Sequence, residues 1–297
     1  MWYYRLKDEH GNFHLLVKTS KENKLNNLTL LNQEVRDFRD LLKASFISGL
    51  GIDQIASSIL SGNDNGQVFE LEDLIENSRK PACYPRLVAP VEPDEMWAAG
   101  PGNFVFTPEA IAQLPEQVQS LYNSARPPMI YKGSSQRVVG PFDDVGIRGD
   151  IPTTSAEGEV VLVMFRGNLV GFSTGNEVAG GLLGESMWWS AASKVFKRCA
   201  SLGPCIATTE SIAEPNSMKL TCSVNRNGKI ISENDAETLF RRTPSELAKW
   251  TSDHDDPPEV SILYTGGLVG GGPLEAGDVV KIGLDHIGFV ENKVIEV

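Results

Sequence analysis

The sequence is short of most groups that do covalent chemistry. Its four histidines (His10, His14, His254 and His286) are scattered along 297 residues. No HExxH or Cys/His arrangement occurs, so hydrolysis by a nucleophilic triad has no support. The four cysteines (Cys83, Cys199, Cys205 and Cys222) show no CxxC spacing and read as reduced, partly buried thiols rather than a structural zinc site or a nucleophile. Basic charge is also scarce: 27 Lys and Arg face 39 Asp and Glu, a net charge of −12, which argues against a nucleic-acid or anionic-membrane surface. No apolar run approaches a membrane span. The opening MWYYRLKDEH lacks an apolar signal-peptide core, so a cytoplasmic location is the default expectation. The glycine run at residues 266–272 (GGLVGGG) has neither a GK[ST] ending nor GxGxxG spacing, and no helical pattern follows it. It is better read as a turn approaching a ligand or another strand than as a phosphate loop.

What is present begins with an ordinary globular composition, 41% hydrophobic and 22% charged, enough to bury a sizeable core. The stretch that organises the rest is residues 156–177, AEGEVVLVMFRGNLVGFSTGNE. Residues 160–164 and 169–172 are apolar runs, and Gly167-Asn168 between them is a tight-hairpin signal. Counting back from that turn sets Glu159 nearly opposite Glu177, with Glu157 on the same strand face as Glu159. Three carboxylates then meet at the open end of a strand pair that looks buried on both faces. Like charges opposed in a sheet are destabilising, and buried unpaired carboxylates are costly or shift their pKa values. A hard divalent cation would remove the conflict, because oxygen-only ligation suits Mg²⁺ or Ca²⁺. Three solvated glutamates, each with its own Lys or Arg, are the alternative.

Taken in order, the chain opens with an expected hairpin, residues 2–5 and 13–18, with His10 in its turn and His14 in its second strand. Helical spacing follows at 35–44 and 52–60, giving a small α/β cap of about 85 residues. The segment 85–94 (PRLVAPVEPD) reads as a linker. A short strand at 96–99 enters a Gly-rich turn. Thr107 N-caps a helix with Pro108 at its first position, Pro115 interrupts that helix, and an extended stretch carries Lys132 and Arg137. Strands are expected at 206–208, 218–224, 229–231, 260–264, 278–282, 288–291 and 294–297. Asn227-Gly228 marks a hairpin turn, and Thr243 to Glu246 a capping box opening a helix. Many short strands with few long helices predict an α+β, mainly β architecture, closed or rolled, with helical decoration. Lys132 and Lys194 each stand in a stretch poor in charge, where a cation could anchor a substrate carboxylate or stabilise an enolate.

The ordered set MWAAG, PPMIYKGSSQRVVGP, EGE, VGFSTGNE, SKVFKRCASLGP and YTGG resembles the fumarylacetoacetate hydrolase (FAH) superfamily across residues 95–295. The cap before the WAAG-like strand is similar in size to that of the 2-keto-3-deoxy sugar-acid (D-arabinonate) dehydratase branch. The resemblance implies an FAH-type mixed β-sandwich roll, with an N-terminal α/β cap domain at 1–90 and a catalytic domain at 91–297. It further implies a homodimer and a metal site of Glu157, Glu159 and Glu177 holding Mg²⁺, with Mn²⁺ or Ca²⁺ as alternatives. Glu177 stands where the family has Asp. Lys194 and Lys132 match family lysines and are the expected catalytic residues, Lys194 for proton transfer or enolate stabilisation and Lys132 for carboxylate anchoring. Arg137, Glu185, Trp188 and Gly267 complete the expected substrate-binding set.

Several positions depart from the family pattern. Gly181 and Leu182 replace an Arg-Asp pair, residues 187–192 replace a loop bearing Pro and Gln, and Gly267 replaces Thr. No His follows the WAAG-like strand, as the hydrolase members' His–Glu dyad requires, and Gly102 to Pro108 replace an Arg- and Glu-rich segment. These changes suggest a bulkier, less polar substrate than a sugar acid. The implied function is a divalent-metal-dependent lyase, a hydro-lyase in the simplest case, acting on a 2-oxo acid through a metal-stabilised enolate. Decarboxylation, tautomerisation or condensation/cyclisation of a β-dicarbonyl, and a non-catalytic binding role, are the other readings. A lysine ammonium bridging the glutamates in place of an ion would favour the last.

Overall fold

The computed structural model describes residues 1–20, 22–62, 66–133, 135–181 and 191–297. Among them the expected mainly β architecture forms as two large packed sheets and a two-stranded pair, Val138–Val139 with Ala200–Ser201. The larger, of 13 strands, runs through its centre in the order Trp2–Lys7, Gly203–Thr208, Asn168–Asn176, Thr154–Phe165, Val260–Tyr264, Glu95–Ala99 and Met129–Gly133. The smaller runs Lys229–Glu237, Lys219–Arg226, Val279–Leu284, Gly288–Glu296 and Val145–Ile147.

The unbroken apolar run in Thr154–Phe165 has a direct cause, because both of its faces are covered. Val160, Leu162 and Met164 pack with Leu220, Cys222, Val224, Val280 and Ile282 of the second sheet. Val161, Val163 and Phe165 pack on the opposite side with Phe38, Leu41 and Leu42 of the helix Phe38–Ser48. That helix starts at an Asp37/Asp40 capping box and ends at Gly49, whose φ of 73° is the left-handed stop that glycine favours. Trp2–Lys7 pairs antiparallel with Gly203–Thr208 through Trp2↔Ala207 and Tyr3↔Ile206. The N-terminal strands therefore extend the main sheet, and Arg86–Val88, inside the expected linker segment, pairs with the same first strand. Among the described residues no helix is long and apolar enough to cross a membrane.

Three local expectations are corrected. The hairpin turns at Arg166-Gly167, one residue before the expected Gly167-Asn168. Both turn residues have positive φ (49° and 76°), and Phe165 pairs with Asn168, the geometry whose twist suits a two-residue hairpin. A register shift at Val163/Met164 then moves the pairing back by one, so Glu159 lies opposite Gly175, two residues short of Glu177. Second, the return strand expected at 229–231 continues as Lys229–Glu237. It is a sheet edge, and its exposed polar residues show no apolar alternation to read. Third, the strands expected at 288–291 and 294–297 are one strand, Gly288–Glu296. Asn292, the polar interruption, is buried and donates to the Asp143 carbonyl at 2.8 Å, so it need not break the ladder.

Gly175 sits where the chain has no room. A Cβ there would lie 2.2 Å from the Ser201 carbonyl oxygen and 2.9 Å from the Tyr264 ring. Backbone cannot yield as a side chain can, so Gly175→Ala is expected to lose about 1–3 kcal/mol of stability, the usual range for overpacking. Urea denaturation against the parent measures it, and an unchanged midpoint would contradict this packing.

Candidate metal centre and active site

Two-residue spacing along Thr154–Phe165 puts the side chains of Glu157 and Glu159 on one face. Glu177 follows the partner strand directly, and its N–H donates to the Glu157 carbonyl at 2.9 Å. This backbone bond, with the flanking Gly158↔Asn176 pair, sets Glu177 against Glu157. The three carboxylates each offer an oxygen within 4.8 Å of the others. Glu159 and Glu177 are 0% and 1% exposed, while Glu157 keeps 24% of its side chain accessible at the opening.

Two lysines complete the cluster. Lys132, on Met129–Gly133, is fully buried; its Nζ donates to Glu177 Oε1 at 2.6 Å and to the Lys194 carbonyl at 2.5 Å. Lys194, at the end of the helical turn Ala191–Lys194, donates to Glu157 Oε2 at 2.6 Å and Glu177 Oε2 at 2.7 Å. Burial would raise the Glu177 carboxyl, but the ammoniums of Lys132 and Lys194 beside it hold it down at about 2. Glu157 is raised, because its burial outweighs the single Lys194 contact. Glu159 is raised well above the usual carboxylate range by burial and then by the charges of Glu177 and Glu157. Burial works against the charge on Lys194, yet Glu157, Glu177 and Glu159 together hold its pKa above the ordinary lysine value.

The ammonium of Lys194 does bridge two of the glutamates. It does not satisfy the set. Three carboxylates stand against two ammoniums, and Glu159 Oε1 is buried without any hydrogen-bond partner. A buried acceptor of that kind is costly to leave unmatched. A small oxygen-seeking dication would contact it and reverse the excess negative charge, so the residues fit Mg²⁺ with Glu157, Glu159 and Glu177 as its protein ligands.

A cavity of about 470 Å³ opens onto the cluster, with Glu157, Glu177 and Lys194 at its base. Its walls come from two glycine turns. Asn103 ties them together, its Nδ2 donating to the carbonyls of Gly100 (2.8 Å) and Thr265 (2.7 Å). Gly266, with φ of +105°, turns its N–H onto Glu159 Oε2 at 2.6 Å, a conformation in which a side chain would be strained. Gly267 leaves space beside Glu157; a Cβ there would come within 3.3 Å of the glutamate side chain. The run read as a turn approaching a ligand or another strand is a wall of the site. Its 269–271 portion is a strand against Thr154–Phe165.

Of the other expected site residues, Arg137 is half-buried, and its Nη1 donates to the Lys132 carbonyl at 3.0 Å. It is not among the described residues lining the cavity. Glu185 and Trp188, with Leu182 and residues 187–190, lie outside the described residues. Gly181 packs against Thr153, donating to its carbonyl at 2.5 Å. Asn234 and Asp235, which line the cavity, were not legible as site residues. The Asn227-Gly228 turn signal places their hairpin in the fold but not its reach across to the glycine turn.

Asn234 grips that turn twice, its Nδ2 donating to the Gly270 carbonyl at 2.5 Å and its Oδ1 accepting from the Gly270 N–H at 3.0 Å. It thereby steadies the segment that presents Gly266 to Glu159. Asn234→Ala is expected to weaken divalent-ion affinity about tenfold, the low end for groups that orient ligands indirectly. Titration with Mn²⁺ followed by electron paramagnetic resonance reads the change, and an unaltered affinity would remove Asn234 from this role.

The family model of the fumarylacetoacetate (FAA) hydrolase C-terminal domain matches residues 103–295. The chain belongs to this family. Among FAA hydrolase relatives, the probable 2-keto-3-deoxyxylonate dehydratase of Haloferax volcanii is 28% identical over 288 residues, 95% of this chain and 96% of that one. The 2-dehydro-3-deoxy-D-arabinonate dehydratase of Saccharolobus solfataricus is 26% identical over 215 residues, 68% of this chain and 72% of its own. A solved structure of 2-keto-3-deoxy-D-arabinonate dehydratase complexed with magnesium and 2,5-dioxopentanoate superposes with a TM-score of 0.79 at 21% identity, covering 100% of this chain and 99% of that one. The likeness of fold therefore extends over the N-terminal residues that precede the family match.

Proposed function

We propose that this chain is a magnesium-dependent hydro-lyase acting on a 2-oxo acid. The observation that carries the reading is the buried Glu157, Glu159 and Glu177 set with its unmatched Glu159 oxygen, at the base of a cavity sized for a small molecule. Two FAA hydrolase relatives, aligned over 95% and 68% of this chain, are dehydratases of 2-keto-3-deoxy acids by name, which supports water loss as the reaction, whereas relatives aligned over 57% are named oxaloacetate tautomerases.

In this reading Glu157, Glu159 and Glu177 hold the ion, with Mn²⁺ or Ca²⁺ as weaker substitutes. A bound Mg²⁺ supplies Lewis acidity to the adjacent carboxylate and keto oxygens of the substrate. Lys194 uses two of its three N–H groups on Glu157 and Glu177, leaving one at Nζ for an oxygen that gains negative charge or leaves as water. Lys132 is engaged by Glu177 and the Lys194 carbonyl. It acts as a positioning residue, tying Glu177 to the turn that carries Lys194, in place of anchoring a carboxylate directly. Arg137 supports it from the carbonyl side. Gly267 gives the substrate access beside Glu157. Residues 1–90 form a cap on a catalytic domain of 91–297, and the active species is a cytoplasmic homodimer.

A panel of 2-keto-3-deoxy acids and β-dicarbonyl acids, incubated with the Mg²⁺-loaded protein and read by mass spectrometry, tests the reaction. Loss of water is expected. Loss of CO₂, or turnover without a change of mass, would replace hydro-lyase by decarboxylase or tautomerase.

A further inference from the structure

We infer that the cavity admits 2-oxo monocarboxylates whose remainder is uncharged and rejects dicarboxylates. The inference rests on the reading above and concerns the part of the substrate that the metal does not hold.

Its basis is a balance of charge. Glu157, Glu159 and Glu177 stand against Lys132 and Lys194, leaving one negative charge. A divalent ion turns this into one positive charge, which a single substrate carboxylate neutralises. A second carboxylate would need a further cation, and the walls supply none. Among the described residues lining the cavity the sole cation is Lys194, already engaged by Glu157 and Glu177. The rest of the wall is Ala98, Ala99, Pro101, Ile130, Leu268 and Val269 with bare glycine backbone. Asn234 has its oxygen and one N–H on Gly270, and the N–H that remains is neutral and cannot serve as a counter-ion. Asp235, also in the lining, is paired with Lys219 at 3.1 Å, so that pair offers no free cation. The segment 182–190, LLGESMWWS, contains no Lys, Arg or His and one acid, Glu185. Wherever that segment lies, it brings no cation. Hydroxyl or carbonyl groups on the tail meet no such obstacle, since neutral polar groups need no counter-ion and the opening admits water.

Calorimetry on the full Mg²⁺-loaded chain tests this with two probes of the same carbon skeleton that carry no leaving hydroxyl. These are 2-oxopentanoate, with a neutral end, and 2-oxoglutarate, with a carboxylate in its place. At least tenfold tighter binding of 2-oxopentanoate is expected. Leu268→Arg, which sets a cation in the wall, is expected to shift the ratio of affinities toward 2-oxoglutarate by tenfold or more. Equal or tighter binding of 2-oxoglutarate by the parent would overturn the inference while leaving the metal-dependent reading intact. Absence of Mg²⁺ binding in the same instrument would overturn that reading, and this inference with it.

Discussion

Replacing Glu157 and Glu159 together by alanine is expected to abolish divalent-ion binding and to lower turnover of any 2-oxo acid substrate by on the order of 10³-fold or more. A metal that polarises a carbonyl contributes several kcal/mol to the transition state, and each ~1.4 kcal/mol is a factor of ten in rate. The double replacement is the informative one because Glu177 remains held by Lys132 and Lys194 at 2.6 and 2.7 Å. One ligand and its lysines persist while the metal loses two carboxylates. Removing Glu159 takes away a buried oxygen that has no partner in the metal-free protein but leaves the Gly266 N–H without its acceptor, so circular dichroism is read alongside to show that the variant is folded. Calorimetry with Mg²⁺ gives the binding and a single-substrate assay the rate. Turnover that survives both substitutions would sink the metal-dependent mechanism.

Lys132→Met is expected to give the largest loss of stability, about 3 kcal/mol in the presence of a chelator, the low end for breaking a buried ion pair because Lys194 stays beside Glu177. Lys132 is 0% exposed and Glu177 1%, so water cannot take over the missing ammonium. Met has nearly the stem's shape, and the loss can therefore be ascribed to charge rather than to a cavity. Chemical denaturation with a chelator and then with excess Mg²⁺ separates the two parts. Metal should restore a share of the loss, since it returns positive charge to Glu177. A variant as stable as the parent under chelation would show that Lys132 does not offset the burial of Glu177.

Both expectations follow from an arrangement that was only half legible beforehand. Local signals were reliable wherever the cause is local. The Thr243 capping box, the Thr107 cap with Pro108, and the Asn227-Gly228 turn all form as expected, because each depends on a few neighbouring residues. Glu157 and Glu159 share a face for the same reason, the two-residue period of a strand. The fold family was readable too, from short motifs in a set order, and the family match at 103–295 bears it out.

What the order of residues could not settle was register and reach. The positive φ of Arg166 moves the hairpin turn by one residue, and the shift at Val163/Met164 offsets part of that change in register. Glu177 thus meets Glu157, although Glu159 was its expected neighbour. Asn234 comes from an exposed edge strand, where no apolar pattern betrays a function. The sequence by itself determined that three carboxylates would crowd one hairpin end and that two lysines stood in charge-poor stretches. Only the tertiary structure decided that Lys132 is buried against Glu177, that Gly266 turns its N–H onto Glu159, and that no further cation lines the cavity among the described residues. The physical reason is one of distance along the chain. Periodicity and turn chemistry act over a few residues, whereas each of these contacts joins strands dozens of residues apart, and the packing of whole sheets selects among them.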